Sequence, residues 1–419
     1  MKMLRSSMWA GLSVVVRAIS SIAVNKIFAK FFLPHDFALL AHFQNLLTIF
    51  LIAPTDGANR GLIKYISSKE ESDTFKSKII KSSLYLNALF FVLSAILLVI
   101  FNTYFTSLFA GKISSWIWIG VVILLLFILL LNFIFQAILL AKDELIKYVL
   151  LVASSSIITI FLVYLTSVYD SKSWAFIVIG FGSVSVSGIS GYFALKKINL
   201  REVISAKVSK GDLNKLSQFV LMALSVLVFG KIVEFSVRHY SLTTFGAYDT
   251  GLWQSAIKFS EYYVMAFTSI LSLAYYPKIT SMVGNRIGLS SYVKEWLGIS
   301  IPVLLIAFIV IYLLRDFIIG FFFDQSFKPA TQFMLFLLLG DFLKMLSFFF
   351  GNLVTAEAKT RLFVLLQAGS AIFYILLIYI LTPIIGVQGF LVAHFIRFVA
   401  YFSVLFFYYK NLIFNNKGS

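Results

Sequence analysis

The amino-acid sequence predicts an all-α polytopic membrane protein, and three observations support that class. Apolar residues make up 60% of the 419-residue chain, and only 13% of residues are charged, which is about half the share of a soluble domain. The apolar residues are gathered into long runs. Each run reaches the length of about 20 residues that an α-helix needs to cross a bilayer.

Twelve such runs are predicted to cross the membrane as helices, and the loops between them are short. The first run follows a basic start but lacks a small-residue cleavage site, so we expect a retained helix rather than a signal peptide. The predicted spans are 8–33, 36–58, 79–101, 116–141, 147–168, 174–195, 216–238, 246–276, 293–314, 331–355, 362–382 and 387–409.

The distribution of basic residues predicts the orientation of these spans. With the N-terminus inside, cytoplasmic segments hold 23 of the 35 Lys and Arg residues, outside segments hold 6, and the spans hold 6. The positive-inside rule therefore places both termini in the cytoplasm. The same bias explains most of the net charge of +17, so the charge does not require a nucleic-acid partner.

An internal repeat predicts the domain organisation. A shift of 213 positions places LPHDFALLAHFQN (33–45) on GAYDTGLWQSAIK (246–258). We expect a six-helix lobe at 1–195, a basic cytoplasmic linker at 196–215 and a second six-helix lobe at 216–419. Six spans per lobe give parallel repeats, and such folds bind substrate between the repeats. The linker is a plain connection or, alternatively, a lipid-recognition segment.

Polar residues recur at helical spacing inside several predicted spans. The pairs Lys231–Glu234, Lys258–Glu261 and Asp341–Lys344 are spaced i,i+3, so each pair could simply neutralise itself. Stripes on five spans favour a shared aqueous cavity instead, because water removes the cost of charge in lipid. The stripes are His42, Asn45, Thr48, Asp56 and Asn59; Lys231, Glu234 and Arg238; Gln254, Lys258, Glu261 and Tyr262; Asp341, Lys344 and Asn352; His394, Arg397 and Tyr401.

The charge of this predicted cavity indicates its guest. Seven cations, including Arg17 and Lys26 of the first span, outnumber four carboxylates. Lys and Arg are common phosphate ligands, so we expect an anionic substrate.

Three segments carry a resemblance to a known family, namely FALLAHFQNLLTIF, TDGANRGLIKYIS and TGLWQSAIKFSEYYVMAFTSILSLAYYPKIT. They resemble the Wzx-type O-antigen flippases of the multidrug/oligosaccharidyl-lipid/polysaccharide exporter superfamily, and most of all the lipid III (enterobacterial common antigen) branch. The resemblance covers essentially the whole chain. It implies two six-helix lobes that form a V around a central cavity, with helices 1, 2, 7 and 8 lining it.

The resemblance also implies a function. It implies alternating-access transport of an undecaprenyl-pyrophosphate-linked oligosaccharide, an O-antigen or lipid III-like unit of lipopolysaccharide and polysaccharide biosynthesis, across the bacterial inner membrane to the periplasmic leaflet. The implied partners are this lipid, the bilayer, H+ or Na+ as an antiported ion, and the polymerase and other polysaccharide-assembly proteins. The predicted pyrophosphate and sugar ligands are Arg17, Lys26, Asn45, Asn59, Lys231, Arg238, Gln254, Lys258, Lys344 and Arg397; the ion-coupling candidates are Asp56, Glu234, Glu261 and Asp341.

Two other classes of protein compete with this interpretation. A cation-coupled multidrug exporter of the same superfamily would share the fold, but its cationic substrates would favour an acidic cavity. A polysaccharide polymerase or ligase would need a large outside loop with catalytic groups, and the outside loops are short. The sequence has no cysteine and shows no nucleotide-binding loop, metal-ligand cluster or catalytic triad. We therefore expect neither enzymatic activity nor a cofactor.

Overall fold

The computed structural model describes residues 2–67, 71–111, 113–169, 172–271, 275–283, 285–357 and 359–414, and these ranges are helical with no β-strand. Within them, ten stretches are long and apolar enough to cross a membrane. The longest, Lys210–Ile270, has 61 residues, about three times the length of one span. Residues 272–274 of the predicted span 246–276 lie outside the described ranges. The predicted helical membrane class is confirmed.

The described residues form eighteen α-helices, together with two π-helical turns (Ala53–Ala58 and Leu227–Ile232) and a 3-10 helix (Gln325–Phe333). The α-helices are α1 (Lys2–Phe31), α2 (Pro34–Ile52), α3 (Asn59–Ser67), α4 (Asp73–Ile100), α5 (Asn102–Phe109), α6 (Ser115–Ala141), α7 (Leu145–Val168), α8 (Lys172–Ser185), α9 (Ser187–Leu195), α10 (Leu200–Ser205), α11 (Lys210–Val226), α12 (Val233–Ile270), α13 (Tyr276–Ser281), α14 (Arg286–Leu313), α15 (Arg315–Phe322), α16 (Met334–Ala356), α17 (Thr360–Ile385) and α18 (Gln388–Phe414).

The chain packs into two compact units. Unit 1 contains Met1–Phe32 and Leu39–Ser236, and unit 2 contains Leu33–Ala38 and Val237–Ser419. In unit 1, α1 and α8 pack on α7, and α9 packs on α6. In unit 2, α16 and α17 pack along α18, and α14 packs on α16. The lobe boundaries predicted from the repeat, at 195 and 216, stay a prediction.

Gly246 interrupts the long helix α12. Its backbone dihedrals, φ 81° and ψ 168°, fall in a region that is essentially restricted to glycine. The predicted repeat superposes Gly246 on Leu33, and Leu33 lies in the break between α1 and α2. One helix therefore ends and the next begins at corresponding positions of the two sequence halves.

Gly251, in the second part of α12, permits a close contact with the start of α2 inside unit 2. A Cβ atom at Gly251 would lie 1.7 Å from the carbonyl oxygen of Pro34. Because the obstacle is backbone, no rotamer change can relieve the clash. Gly251, the glycine of the GLW sequence, therefore has a packing role.

We predict that Gly251→Ala lowers the free energy of unfolding by about 1–3 kcal/mol, because the backbone segments at Pro34 and Gly251 must move apart. The matched control is Gly298→Ala in α14, where a Cβ meets nothing within 4 Å and helix propensity favours alanine. Unfolding of the detergent-solubilised variants would measure both effects. Equal stability of the two variants would contradict the predicted clash.

An ion-pair cluster fixes the α6–α7 connection to the segment after α9. One carboxylate oxygen of Glu144 lies 3.0 Å from Nζ of Lys147, and the other pairs with Lys197. Hydrogen bonds from Lys197 and then Lys147 lower the pKa of Glu144 below its ordinary value, and desolvation opposes them only in part. The ionised form of Glu144 therefore stabilises the folded state.

This shift predicts a pH dependence of stability. The contribution of Glu144 is fully present above its unfolded pKa of about 4.3 and is lost as the pH falls through the lower folded pKa. We expect Glu144→Gln to lower the Tm at neutral pH, with the difference from wild type closing in acid. Glu295→Gln, at an exposed site in α14, is the control and should show no such closure. A difference that persists unchanged in acid would contradict the prediction.

Candidate functional site

A polar cavity lies inside unit 1. Its volume is about 490 Å³, and its walls come from α1, α2, the first π-helical turn, α3, α6 and α7. The polar side chains that line it are Arg17, Thr48, Thr55, Asp56, Asn59, Arg60, Gln136 and Tyr148. Three of the predicted site residues, Arg17, Asp56 and Asn59, are therefore brought together from two separate helical segments.

Arg17 reaches this cavity from α1. Its guanidinium group donates a hydrogen bond to the hydroxyl group of Tyr148 and lies 5.7 Å from the centre of that ring. Tyr148 stands one turn after the α6–α7 connection. This contact orients the guanidinium group without neutralising its charge, so the cation can still bind an anion.

Asp56 and Arg60 form the second charged element of the cavity. Their side chains lie 2.9 Å apart at i,i+4 spacing and are 45% and 66% exposed, respectively. Asp56 belongs to the first π-helical turn, a distortion that is frequent at functional sites. Because Arg17 is a second cation, the cavity walls carry two guanidinium groups and one carboxylate, a net positive charge.

Asn59 links the cavity to a buried amide network. Its Oδ1 accepts hydrogen bonds from Ser83 (3.3 Å) and Asn87 (3.2 Å) of α4. Among the described residues, no acceptor lies within hydrogen-bonding distance of its buried Nδ2. The network fixes the orientation of the Asn59 amide at the cavity wall, with Nδ2 buried.

The other site residues predicted in unit 1 lie elsewhere. Lys231 is in the second π-helical turn and pairs with Glu234 at 2.7 Å. Lys26 lies on an exposed face of α1, and Asn45 is buried in α2. Of the predicted stripe from His42 to Asn59, Thr48, Asp56 and Asn59 line this cavity, whereas His42 and Asn45 are buried and are not among its lining residues. A binding role for these residues stays a prediction.

Unit 2 contains a fully buried carboxylate, Asp341, in α16. Its partners lie on two further helices and on the next turn of α16 itself. Oδ1 lies 3.1 Å from Nε2 of His394 in α18 and 3.8 Å from Nζ of Lys344. Oδ2 accepts hydrogen bonds from the hydroxyl groups of Ser260 and Tyr263 in α12. A single carboxylate therefore ties three helices together.

The remaining site residues predicted in unit 2 have separate surroundings. Lys258 pairs with Glu261 at 2.8 Å, and Arg238 and Gln254 are buried in α12. Arg397 donates to Oγ of Ser370 at 2.7 Å and lines an apolar groove of about 220 Å³ between α17 and α18. The three i,i+3 pairs anticipated from the sequence all form, and Arg397 lies in a different pocket from the unit 1 cavity.

Several residues of these sites were not identified from the sequence, among them Arg60, Gln136, Tyr148 and Tyr263. Arg60 had a usable signal, since it follows Asp56 at the ion-pair spacing of i,i+4. Gln136 and Tyr148 lie in apolar helices far in sequence from Arg17 and Asp56, so no sequence pattern pointed to them as site residues. Tyr263 neighbours Glu261 in sequence, but only the structure shows that it turns towards Asp341. No group of three His, Asp or Glu residues in the described ranges is arranged to hold a metal ion.

Asp341→Asn keeps the side-chain shape and removes the negative charge, so Lys344 and His394 lose their carboxylate partner. We predict that it lowers the free energy of unfolding by about 3–5 kcal/mol, the usual effect of breaking a buried ion pair. Adding Lys344→Met should restore part of the loss, because the orphaned charge is removed as well.

Chemical unfolding of the purified protein in detergent would measure these effects. The matched control is Asp249→Asn, which changes an exposed carboxylate of α12. Wild-type stability of Asp341→Asn would show that the cluster does not hold the three helices together.

Comparison with known proteins identifies distant relatives over the full length of the chain. No family model matches it. The lipid III flippases of Escherichia coli (strain K12) and Shigella flexneri are each 22% identical to it over 410 residues, which cover 96% of this chain and 97% of theirs. The chain is thus a distant full-length homologue of the lipid III flippases.

Solved structures share its fold. An inward-facing multidrug resistance transporter of the MATE family and MOP superfamily gives a TM-score of 0.75 at 14% identity, over 97% of this chain and 96% of that one. The lipid II flippase MurJ, in an inward closed conformation, gives 0.70 at 15% identity, over 97% and 87%. The fold is therefore MATE/MOP-like. The prediction of a transport protein rather than an enzyme is confirmed by these relatives.

Proposed function

We propose that this distant homologue of the lipid III flippases moves an undecaprenyl-pyrophosphate-linked oligosaccharide from the cytoplasmic to the periplasmic leaflet of the bacterial inner membrane. The observation that carries the proposal is the polar, net positive cavity of unit 1. Arg17 and Arg60 line it together with one carboxylate, Asp56, which pairs with Arg60. A pyrophosphate group is the chemical feature that all such substrates share, whichever sugars they bear.

The donors of the cavity suit a phosphate-bearing head group. Arg17 is held by Tyr148 with its charge unneutralised, and guanidinium groups bind phosphate oxygens in pairs. The amide of Gln136, which lines the cavity, can serve phosphate or sugar hydroxyl groups. The α6–α7 connection near Tyr148 is on the predicted cytoplasmic side, where the substrate would enter.

The carboxylates supply a means of coupling transport to an ion. Without substrate, Asp56 holds Arg60 and Glu234 holds Lys231. A bound anion competes for the same cations, and a proton or Na+ on the carboxylate would favour their release. Glu261 and Asp341 stay further candidates for this role. Outward movement of each negative charge is also favoured by about 2.3 kcal/mol per 100 mV of membrane potential.

The proposal includes the finer architecture expected from the sequence. It has twelve spans in two parallel six-helix lobes that form a V, both termini in the cytoplasm, and a central cavity to which Lys26, Asn45, Arg238, Gln254, Lys258, Lys344 and Arg397 would contribute. Polymerase and other polysaccharide-assembly proteins would take up the product.

A cation-coupled multidrug exporter is the second candidate, and the likeness to the MATE transporter favours it. Cationic drugs would need an acidic lining, whereas the unit 1 cavity carries two guanidinium groups against one carboxylate. Efflux of a fluorescent organic cation by the wild-type protein, without movement of lipid-linked oligosaccharide, would establish the exporter instead.

We predict that Arg17→Ala reduces flipping about 10- to 100-fold, because a charge-assisted hydrogen bond is worth about 1.5–3 kcal/mol. Lys231→Ala and Arg238→Ala should also reduce flipping, while Arg17→Lys should retain part of it. Lys30→Ala is the matched control, since it removes an exposed cation of the same helix. Complementation of a flippase-null strain would report the loss, with membrane levels of each variant as the control for insertion.

Proteoliposomes with a fluorescent lipid-linked oligosaccharide would separate binding from coupling. The potential and the H+ and Na+ gradients would be imposed one at a time on wild type, Asp56→Asn and Glu234→Gln. Full activity of all three alanine variants would overturn the basic site. An unchanged response of both carboxylate variants to every gradient would exclude Asp56 and Glu234 as coupling groups.

A further inference from the structure

The segment between α9 and α11 forms a surface at the edge of the membrane. One apolar stretch, Trp174–Leu195, ends just before it, and the next begins at Lys210. Between them the short helix α10 packs on α4. We define the linker patch as six exposed residues in this segment or at the start of α11: Lys196, Leu200, Arg201, Ile204, Lys207 and Lys210.

Helix α10 has an inner and an outer face. Val203 is 4% exposed and joins the unit 1 core that contains Leu62 and Ile66. On the other face, Leu200 is 44% exposed and Ile204 is 72% exposed, and their i,i+4 spacing puts them side by side. Arg201 lies on the same outer face. The apolar surface of Leu200 and Ile204 is thus turned away from the protein.

Several hydrogen bonds fix α10 in this orientation. Nζ of Lys81 in α4 donates to the carbonyl oxygens of Ile204 (2.6 Å) and Ala206 (2.8 Å). Those carbonyl groups would otherwise be unsatisfied at the end of the helix. Glu202 accepts a hydrogen bond from Ser77, also in α4. The outer face is therefore presented by a fixed helix rather than by a loose linker.

The linker patch is basic because the stretch 196–210 holds five Lys and Arg residues and one acid, Glu202. Glu202 and Asp212 are held by the neutral side chains of Asn199 and Ser209 and keep their charge, whereas Glu144 pairs with Lys197. Arg201, Lys207 and Lys210 remain exposed within a stretch of ten residues.

We propose that the linker patch binds the headgroups of anionic phospholipids of the bilayer. Exposed Leu and Ile flanked by Lys and Arg are the composition of segments that lie in the headgroup region. The position directly between two membrane stretches places these side chains at the depth of the phosphates. The apolar pair favours a bilayer over a soluble acidic peptide, which would leave Leu200 and Ile204 in water.

The test is lipid selectivity of the full-length protein in detergent, with no oligosaccharide lipid present. Binding of fluorescent phosphatidylglycerol and phosphatidylcholine would be compared for wild type and for Arg201→Gln/Lys207→Gln/Lys210→Gln. A cation close to an anionic surface is worth about five-fold in affinity, so we expect selectivity to fall about 100-fold in the triple variant. The charge-preserving variant Arg201→Lys/Lys207→Arg/Lys210→Arg should keep it.

A second triple variant controls for overall charge. Arg286→Gln/Lys328→Gln/Lys410→Gln removes three exposed cations of unit 2 and should leave selectivity unchanged. Ile204→Ser should weaken binding of both lipids, because it removes the apolar anchor. An equal loss of selectivity for phosphatidylglycerol in both triple variants would overturn the proposal. Undiminished selectivity in Arg201→Gln/Lys207→Gln/Lys210→Gln would overturn it as well.

Discussion

A charged group inside a bilayer must have a partner or water, because an isolated ion in hydrocarbon is strongly unfavourable. In this protein the partner usually stands one turn away on the same helix. Lys231 with Glu234 and Lys258 with Glu261 are held at 2.7 and 2.8 Å. Some charges are also held from other helices: Arg17 from α7, Arg397 from α17, and Asp341 from α12 and α18 as well as from Lys344 on its own helix. The contacts of Arg17 and Asp341 join helices that are far apart in sequence.

The charge clusters of the two units differ in hydration, and this difference separates their roles. Asp341 has no exposed surface, so its interactions act in a medium of low dielectric constant and are costly to break. Asp56 and Arg60 are 45% and 66% exposed in an open cavity, where a solvated ion pair costs little to break. The same residue types thus form a buried cluster that joins three helices in unit 2 and a solvent-exposed ion pair in unit 1.

The sequence predicted the interactions that depend on spacing within one helix. The three i,i+3 ion pairs and the two helix starts at Leu33 and Gly246 could be anticipated because local geometry decides them. The cavity could be anticipated only in part. Gln136 of α6 and Tyr148 of α7 complete it, and a tertiary contact of this kind leaves no local pattern. The π-helical turn at Ala53–Ala58 was not predicted either, because a single extra residue in one turn changes the apolar periodicity of the sequence very little.

The backbone conformation of Gly246 restricts the chirality of the residue at this position and not the volume of its side chain. No atom lies within 4 Å of where its Cβ would be, so there is room for a side chain. The dihedral angles of φ 81° and ψ 168° are nevertheless the mirror image of ordinary extended backbone for an L-residue. A D-alanine introduced by chemical ligation would therefore occupy a relaxed conformation here, where L-alanine of the same volume would be strained. The helix break is thus encoded by chirality, and glycine is the one genetically encoded residue that lacks it.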